Sequence, residues 1–229
     1  MKRISLIICA LICITSLTAC GNSASNNNTN NSQIQSQATT PPTVTEATKS
    51  PEELEAEKEE IKKAEEERKK KLNEKLSSLR KVADEVSGNT WYYDVNSEKY
   101  TNANDFQLYL GEVNGQFWPR VRIQFCAENW LFIESYIISV DGTNYNFNPS
   151  YDDIKRDNDN GIVWEWYDFY PTNSNLKMMQ EVVDSEKTIL RHQGDIYYED
   201  RIISNQEKQS IKNILDIYNM LSESEKWKQ

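Results

Sequence analysis

From Trp91 onward the chain alternates hydrophobic and polar positions in short runs of aromatic and β-branched residues broken by turn signals. These runs predict strands over 90–95, 106–111, 117–126, 130–140, 144–147, 162–170, 188–192 and 196–203. Asn114-Gly115 and Asp141-Gly142 favour the left-handed backbone of tight hairpin turns, so successive strands are expected to pair antiparallel. In two places the period lengthens to that of a helix. Ser174 is placed to cap a helix carrying Leu176, Met179, Val182 and Val183, and Ser204 with Glu207 forms a capping box ahead of Ile211, Ile214, Leu215, Tyr218 and Leu221. Together these elements predict an α+β globular domain over 88–229, an antiparallel β-sheet or sandwich with one or two packed helices.

Upstream the pattern is different. Ser50-Pro51-Glu52-Glu53 combines an N-cap serine, proline at the first helical position and glutamate at the third, which predicts a long charged helix over 50–87 with Gly88 just past its end. A helix of roughly 36 residues makes a rod of about 54 Å. Its first half is held by Glu-to-Lys pairs four apart, such as Glu59 with Lys63 and Glu65 with Lys69. In its second half Leu72, Leu76, Leu79, Ala83 and Val86 form an apolar seam, expected to dock on the domain. Self-association as a coiled coil is the competing expectation, but upstream the seam runs onto Lys69, Glu65 and Lys62 and so lasts only about two heptads.

Residues 20–49 are dominated by Asn, Ser, Thr and Gln, a composition unable to bury enough apolar surface to offset the entropy of ordering, and are expected to form a disordered linker. A flexible coil of that length spans about 30 Å root-mean-square. Ahead of it, Lys2 and Arg3 precede an apolar run from Ile4 to Leu17, too short to span a bilayer but suited to a signal peptide over 1–19. Leu17-Thr18-Ala19-Cys20 resembles the lipobox of bacterial lipoproteins of the Gram-positive type. The resemblance implies cleavage between Ala19 and Cys20, a diacylglyceryl group on the Cys20 sulfur, and a place on the extracytoplasmic face of the cell membrane. Two acyl chains suffice for stable attachment. An ordinary secretory signal cut after Ala19 is the alternative. The stretch from Ile189 to Tyr198, with the Ser204 helix behind it, is similar to the end of uncharacterised domains in lipoproteins and secreted proteins of Gram-positive bacteria, which implies no particular chemistry.

Charge and the scarcity of reactive side chains narrow the functional classes. The whole chain carries a formal charge of −10. All of that excess lies in 88–229, where 13 Lys and Arg face 23 Asp and Glu. An acidic domain repels a phosphate backbone, so no nucleic-acid partner is expected. Of four cysteines only Cys126 falls in the domain, which leaves it no internal disulfide partner and predicts a small buried hydrophobe. His192 is the only histidine, too few for a zinc site, so no cofactor or metal is expected; a histidine at a strand end, bonded to its neighbours, is the simpler reading. Asp157-Asn158-Asp159-Asn160-Gly161 lacks the spacing of a calcium loop and reads as a polar hairpin turn. Ser174 and Lys177 match the Ser-x-x-Lys of penicillin-interacting enzymes without the companion elements.

Two groups remain as candidate chemistry. Glu165 and Asp168, with Glu134 as another acid, are the carboxylates a glycan hydrolase would use. Three positions apart on one strand, however, Glu165 and Asp168 are expected on opposite faces, with Glu165 on the apolar parity of Val163, Tyr167 and Phe169. Trp118, Trp164 and Trp166 are the candidate ligand-binding residues, expected to form a platform for sugar rings or a partner protein. The expectation is a membrane-anchored, non-enzymatic binding module of the cell envelope, whose partners are the membrane through its lipid and an envelope protein or glycan. The alternative is an enzyme or accessory factor acting on envelope polymers through carboxylates. A transporter's solute-binding protein is a third expectation, for which the chain is small.

Overall fold

The computed structural model describes residues 50–226, with side chains as far as Glu223; the expected signal peptide, Cys20 and the expected linker lie outside the described residues. Helix α1 (Pro51–Ser77) opens with the expected capping box. The Ser50 amide donates to Glu53 Oε2 at 2.8 Å, and the Glu53 amide donates to Ser50 Oγ at 3.3 Å.

The helix stops well before residue 87. The hydroxyls of Ser77 and Ser78 turn back onto the carbonyls of Glu74 and Lys75, at 2.8 and 2.7 Å, competing with further helical bonding. The chain then continues as strand β1 (Arg80–Ala83), paired antiparallel with β2 (Thr90–Tyr93). Gly88, expected at the helix end, instead sits at φ 74° in the turn between these two strands. The apolar seam is therefore divided. Leu72, Leu76 and Leu79 pack against the core, while Val86 is 99% exposed. At its base α1 is fastened to the last helix by Arg68, which donates to the Met220 carbonyl at 2.6 Å, and by Lys75, 3.4 Å from Asp216.

The remaining elements are β3 (Asp105–Val113), β4 (Gln116–Ala127), β5 (Ile133–Val140), β6 (Thr143–Phe147), β7 (Ile154–Asp159), β8 (Ile162–Phe169), α2 (Asn173–Asp184), β9 (Thr188–Gly194), β10 (Tyr198–Ile202) and α3 (Asn205–Lys226). They make an α+β fold with two antiparallel sheets, one ordered β1-β2-β3-β4-β8-β7 and the other β10-β9-β5-β6. Asn114-Gly115, Asp141-Gly142 and Asn160-Gly161 all carry positive φ and close the β3–β4, β5–β6 and β7–β8 hairpins. Strand β7 is the polar segment read from sequence as part of a loop; as an edge strand it needs only Ile154 and the stem of Arg156 on the inner side. The cap of α2 is Thr172 rather than Ser174, because Asn175 supplies the reciprocal bond.

One face of the six-stranded sheet is the core face. Phe106, Leu108, Leu110, Val121, Ile123 and Phe125 project from it and are buried. Over β4 and β8 it is covered by the four-stranded sheet, with Tyr136 stacked on Tyr167 and Phe147 against Phe169. Over β3 it is covered by α3, whose Ile211, Ile214 and Leu215 are buried, and α2 adds Met178, Met179 and Val182. Helix α3 is locked in place by its own capping box, with the Glu207 carboxylate also accepting from the Phe106 amide at 3.0 Å. None of the helices is long and apolar enough, among the described residues, to cross a membrane.

Candidate functional site

The second face of the six-stranded sheet carries the chemistry. Register fixes its rows. Arg80 lies opposite Tyr93, Tyr109 opposite Arg120, Gln107 opposite Arg122, and Arg122 opposite Asp168. Further along, Asp105 pairs with Gln124, Gln124 with Trp166, and Cys126 with Trp164. At the other end Trp91 and Trp118 flank Gly111. This glycine is there for space. A Cβ at Gly111 would meet the Trp118 indole at 2.3 Å, so the ring lies over the bare α-carbon and Trp91 meets it edge-on at 5.9 Å.

Half of this face is closed by the segment between β2 and β3. Gln124 donates to the carbonyls of Tyr100 and Ala103, both at 3.0 Å, and Asn104 exchanges two hydrogen bonds with the Cys126 backbone. Trp164, beside Cys126, is buried at 9% exposure, contrary to its expected place in an open platform. Trp118 and Trp166 remain half-exposed on the same face, and Tyr170 at its margin is 66% exposed. Cys126 itself is half-buried rather than buried; the desolvation it undergoes pushes its thiol up.

Arginine is concentrated on this face of an otherwise acidic domain. Arg80 donates to the carbonyls of Ser97 and Glu98 and lies 5.2 Å from the Tyr93 ring centre. Arg120 holds Asp168 through two bonds of 2.9 and 2.6 Å and sits over Tyr170 at 4.0 Å. Tyr109 donates to the other Asp168 oxygen at 2.6 Å, and burial together with that carboxylate pushes its phenol far up, so it stays a neutral donor. Arg122 differs. Among the described residues it has no hydrogen bond or ion pair, and rests 5.8 Å from Tyr93 and 5.6 Å from Tyr109. Buried, unpartnered polar atoms gather around it: Arg122 Nε, Gln107 Oε1, Arg80 Nε and Trp118 Nε1. Sequence reasoning found Trp118 and Trp166 but missed the arginines; Arg120 and Arg122 alternate with apolar residues in β4, which is the signal for a shared second face.

The candidate acids do not converge. Glu165 is fully buried on the core side, where its Oε1 accepts from the amides of Leu131 and Phe132 at 3.0 and 2.8 Å. Its Oε2 accepts from the Ile133 amide at 2.8 Å and from Arg156 Nε at 3.0 Å. That carboxylate organises the crossing between the sheets, holding Phe132 at φ 53°, a left-handed conformation disfavoured for an aromatic residue. Asp168 faces the opposite side of the sheet, and Glu134 is exposed at the irregularity in the β5–β9 ladder.

His192 is buried in β9 against Phe125 and Tyr136. It is bonded to the backbone of Glu199 and Gln124, though its Nε2 has no partner; burial pushes its pKa down to about 3, with Arg201 adding to the effect. No group of three or more His, Cys, Asp or Glu side chains able to hold a metal occurs among the described residues. Two hollows, of about 250 and 220 Å³, lie one between α2 and α3 and the other beside Cys126 and His192. No protein-family model, curated protein or solved structure matches this chain.

Proposed function

We propose that the chain is a lipid-anchored, extracytoplasmic binding module of the bacterial cell envelope, working without catalysis, with the second face of its six-stranded sheet as the binding surface. The anchor rests on the lipobox-like Leu17-Thr18-Ala19-Cys20. The binding reading is carried by one observation: half-exposed Trp118 and Trp166 share a sheet face with Arg80, Arg120 and Arg122, in a domain with ten more acidic than basic residues. Ring faces and arginine forks are the side chains that contribute most per residue to recognition. Residues 51–67 of helix α1 are all exposed, a length of roughly 25 Å.

Co-sedimentation with isolated cell envelopes tests the surface. With Cys20→Ala removing the lipid, the chain is expected to sediment with them through this face, and replacing Trp118 and Trp166 by alanine in that background is expected to weaken sedimentation at least about tenfold, the loss typical of interface tryptophans. Unchanged sedimentation of the double variant removes the surface. For the anchor, Cys20→Ala is expected to abolish incorporation of labelled palmitate, and equal incorporation removes it.

A further inference from the structure

We propose that the strip centred on Arg122 binds a carboxylated pyranose, a sugar ring within a glycan that carries a single carboxylate. The inference rests on the reading of this face as the binding surface and narrows it to one ligand class.

The three arginines are not equivalent. Arg80 is engaged by the Ser97 and Glu98 carbonyls, and Arg120 by Asp168. Arg122 has neither kind of partner among the described residues, although it is half-buried and its Nε is closed off from solvent. A buried N–H without an acceptor is costly, and a bound species is one way such a group is satisfied. Its two terminal nitrogens are not among the buried unpartnered atoms, so they remain open on the platform side. Two parallel N–H donors fit the two oxygens of a carboxylate. Tyr93 and Tyr109 lie within cation–π reach of the guanidinium.

What surrounds Arg122 selects the rest of the ligand. Trp118, flat over Gly111, offers a ring face along the same strand; Trp166 is the neighbour of Gln124 across the β4–β8 ladder, and exposed Tyr170 lies at the margin beside Arg120. These planes suit the flat C–H side of a pyranose, whose hydroxyls find a polar neighbour in Asp168. Charge sets the density of the ligand. Asp168 and the net charge of the domain repel a dense polyanion, whereas one carboxylate matches one unpaired guanidinium.

The test uses the full chain purified from membranes in detergent, with intrinsic tryptophan fluorescence as the readout. Cellobiouronate, which carries one carboxylate, is titrated against its neutral counterpart cellobiose and against acetyl-triglycine, a peptide with a free carboxylate. Cellobiouronate is expected to bind at least about tenfold tighter than cellobiose, the effect of one charge-assisted hydrogen-bonded group. Arg122→Gln is expected to remove that difference, and acetyl-triglycine is expected not to bind. Arg122→Lys, which keeps charge but not the fork, carries the same test should the glutamine variant fail to fold, and is expected to lose most of the discrimination. Equal affinity for the two sugars, or discrimination that survives loss of Arg122, overturns the carboxylate. Equal binding of the peptide overturns the sugar. Binding of neither sugar, with tryptophan-dependent sedimentation intact, overturns this inference alone; loss of that dependence overturns the binding surface itself.

Discussion

Replacing Glu165 by glutamine keeps the shape of the side chain and removes its ability to satisfy its surroundings. Each carboxylate oxygen accepts two donors: the Leu131 and Phe132 amides on Oε1, and the Ile133 amide with Arg156 Nε on Oε2. An amide has one oxygen. Whichever way it turns, its own N–H₂ faces a pair of donors in a site with no solvent access. Arg156, 14% exposed, would also lose its ionic partner, though it keeps its bonds to the Ile133 and Ile154 carbonyls. Breaking a buried, hydrogen-bonded ion pair from one side costs about 3–5 kcal/mol. For a folded unit of this size that lowers the thermal midpoint by roughly 6–20 °C. Urea and thermal unfolding of the full chain, followed by tryptophan fluorescence, measures the loss. Asp168→Asn is the control, because that half-exposed carboxylate sits on the other face, and its loss is expected to cost nearer 1–2 kcal/mol. A Glu165→Gln variant within about 0.5 kcal/mol of the native protein would refute the clamp.

Three further outcomes follow from the packing and the titrating groups. Burial raises Asp105 from 3.8 to about 6, with Glu207 adding to the rise and the bond from the Glu98 amide opposing it, so its contribution is full below pH 4 and is lost as pH climbs through 6, by at most about 3 kcal/mol. His192, held near 3, acts with the opposite sign: the native state resists its protonation, so stability falls as pH drops below about 6.5. The two oppose one another between pH 4 and 6, so Asp105→Asn is expected to be more stable than the native protein at pH 7 and to lose stability more steeply on acidification; parallel pH profiles by urea titration would contradict this. Gly111→Ala forces the Trp118 indole off its seat and is expected to cost about 1–3 kcal/mol and shift the emission maximum, which fluorescence and thermal melts would show. Leu79→Ala, at the junction of α1 and β1, is expected to cost about 2 kcal/mol and to speed proteolysis between residues 68 and 80; unaltered cleavage would mean that α1 is held elsewhere.

Where local chemistry decides, the sequence is a direct guide. Asn-Gly and Asp-Gly pairs mark hairpin turns, and the Ser50 and Ser204 boxes mark helix starts. Glu165 is on the apolar parity in the sequence and on the core side in the fold. Long-range competition is what the sequence hides. The seam from Leu72 to Val86 keeps a helical spacing across the break at Ser78, and only pairing with Thr90–Tyr93 reveals β1. Strand β7 is invisible to alternation because an edge strand buries little. Likewise, the division of strands between two sheets, and hence the second face shared by the tryptophans and arginines, depends on partners far along the chain. The fold of the segment between β2 and β3 is hidden in the same way, since Gln124 and Cys126 on the distant β4 hold its far end.

The fastening of α1 sets a mechanical consequence. A pull applied at Ser50 travels down a bare helix and reaches the body at Arg68, Leu72 and Lys75, all seated on α3 and the core edge beneath it, on the side away from the aromatic platform. Traction therefore peels one helix from another before it shears any rung of the six-stranded ladder. Were the protein moored at that end and its platform a binding face, as proposed, it would yield under load as a stretching leash while that face stays undistorted.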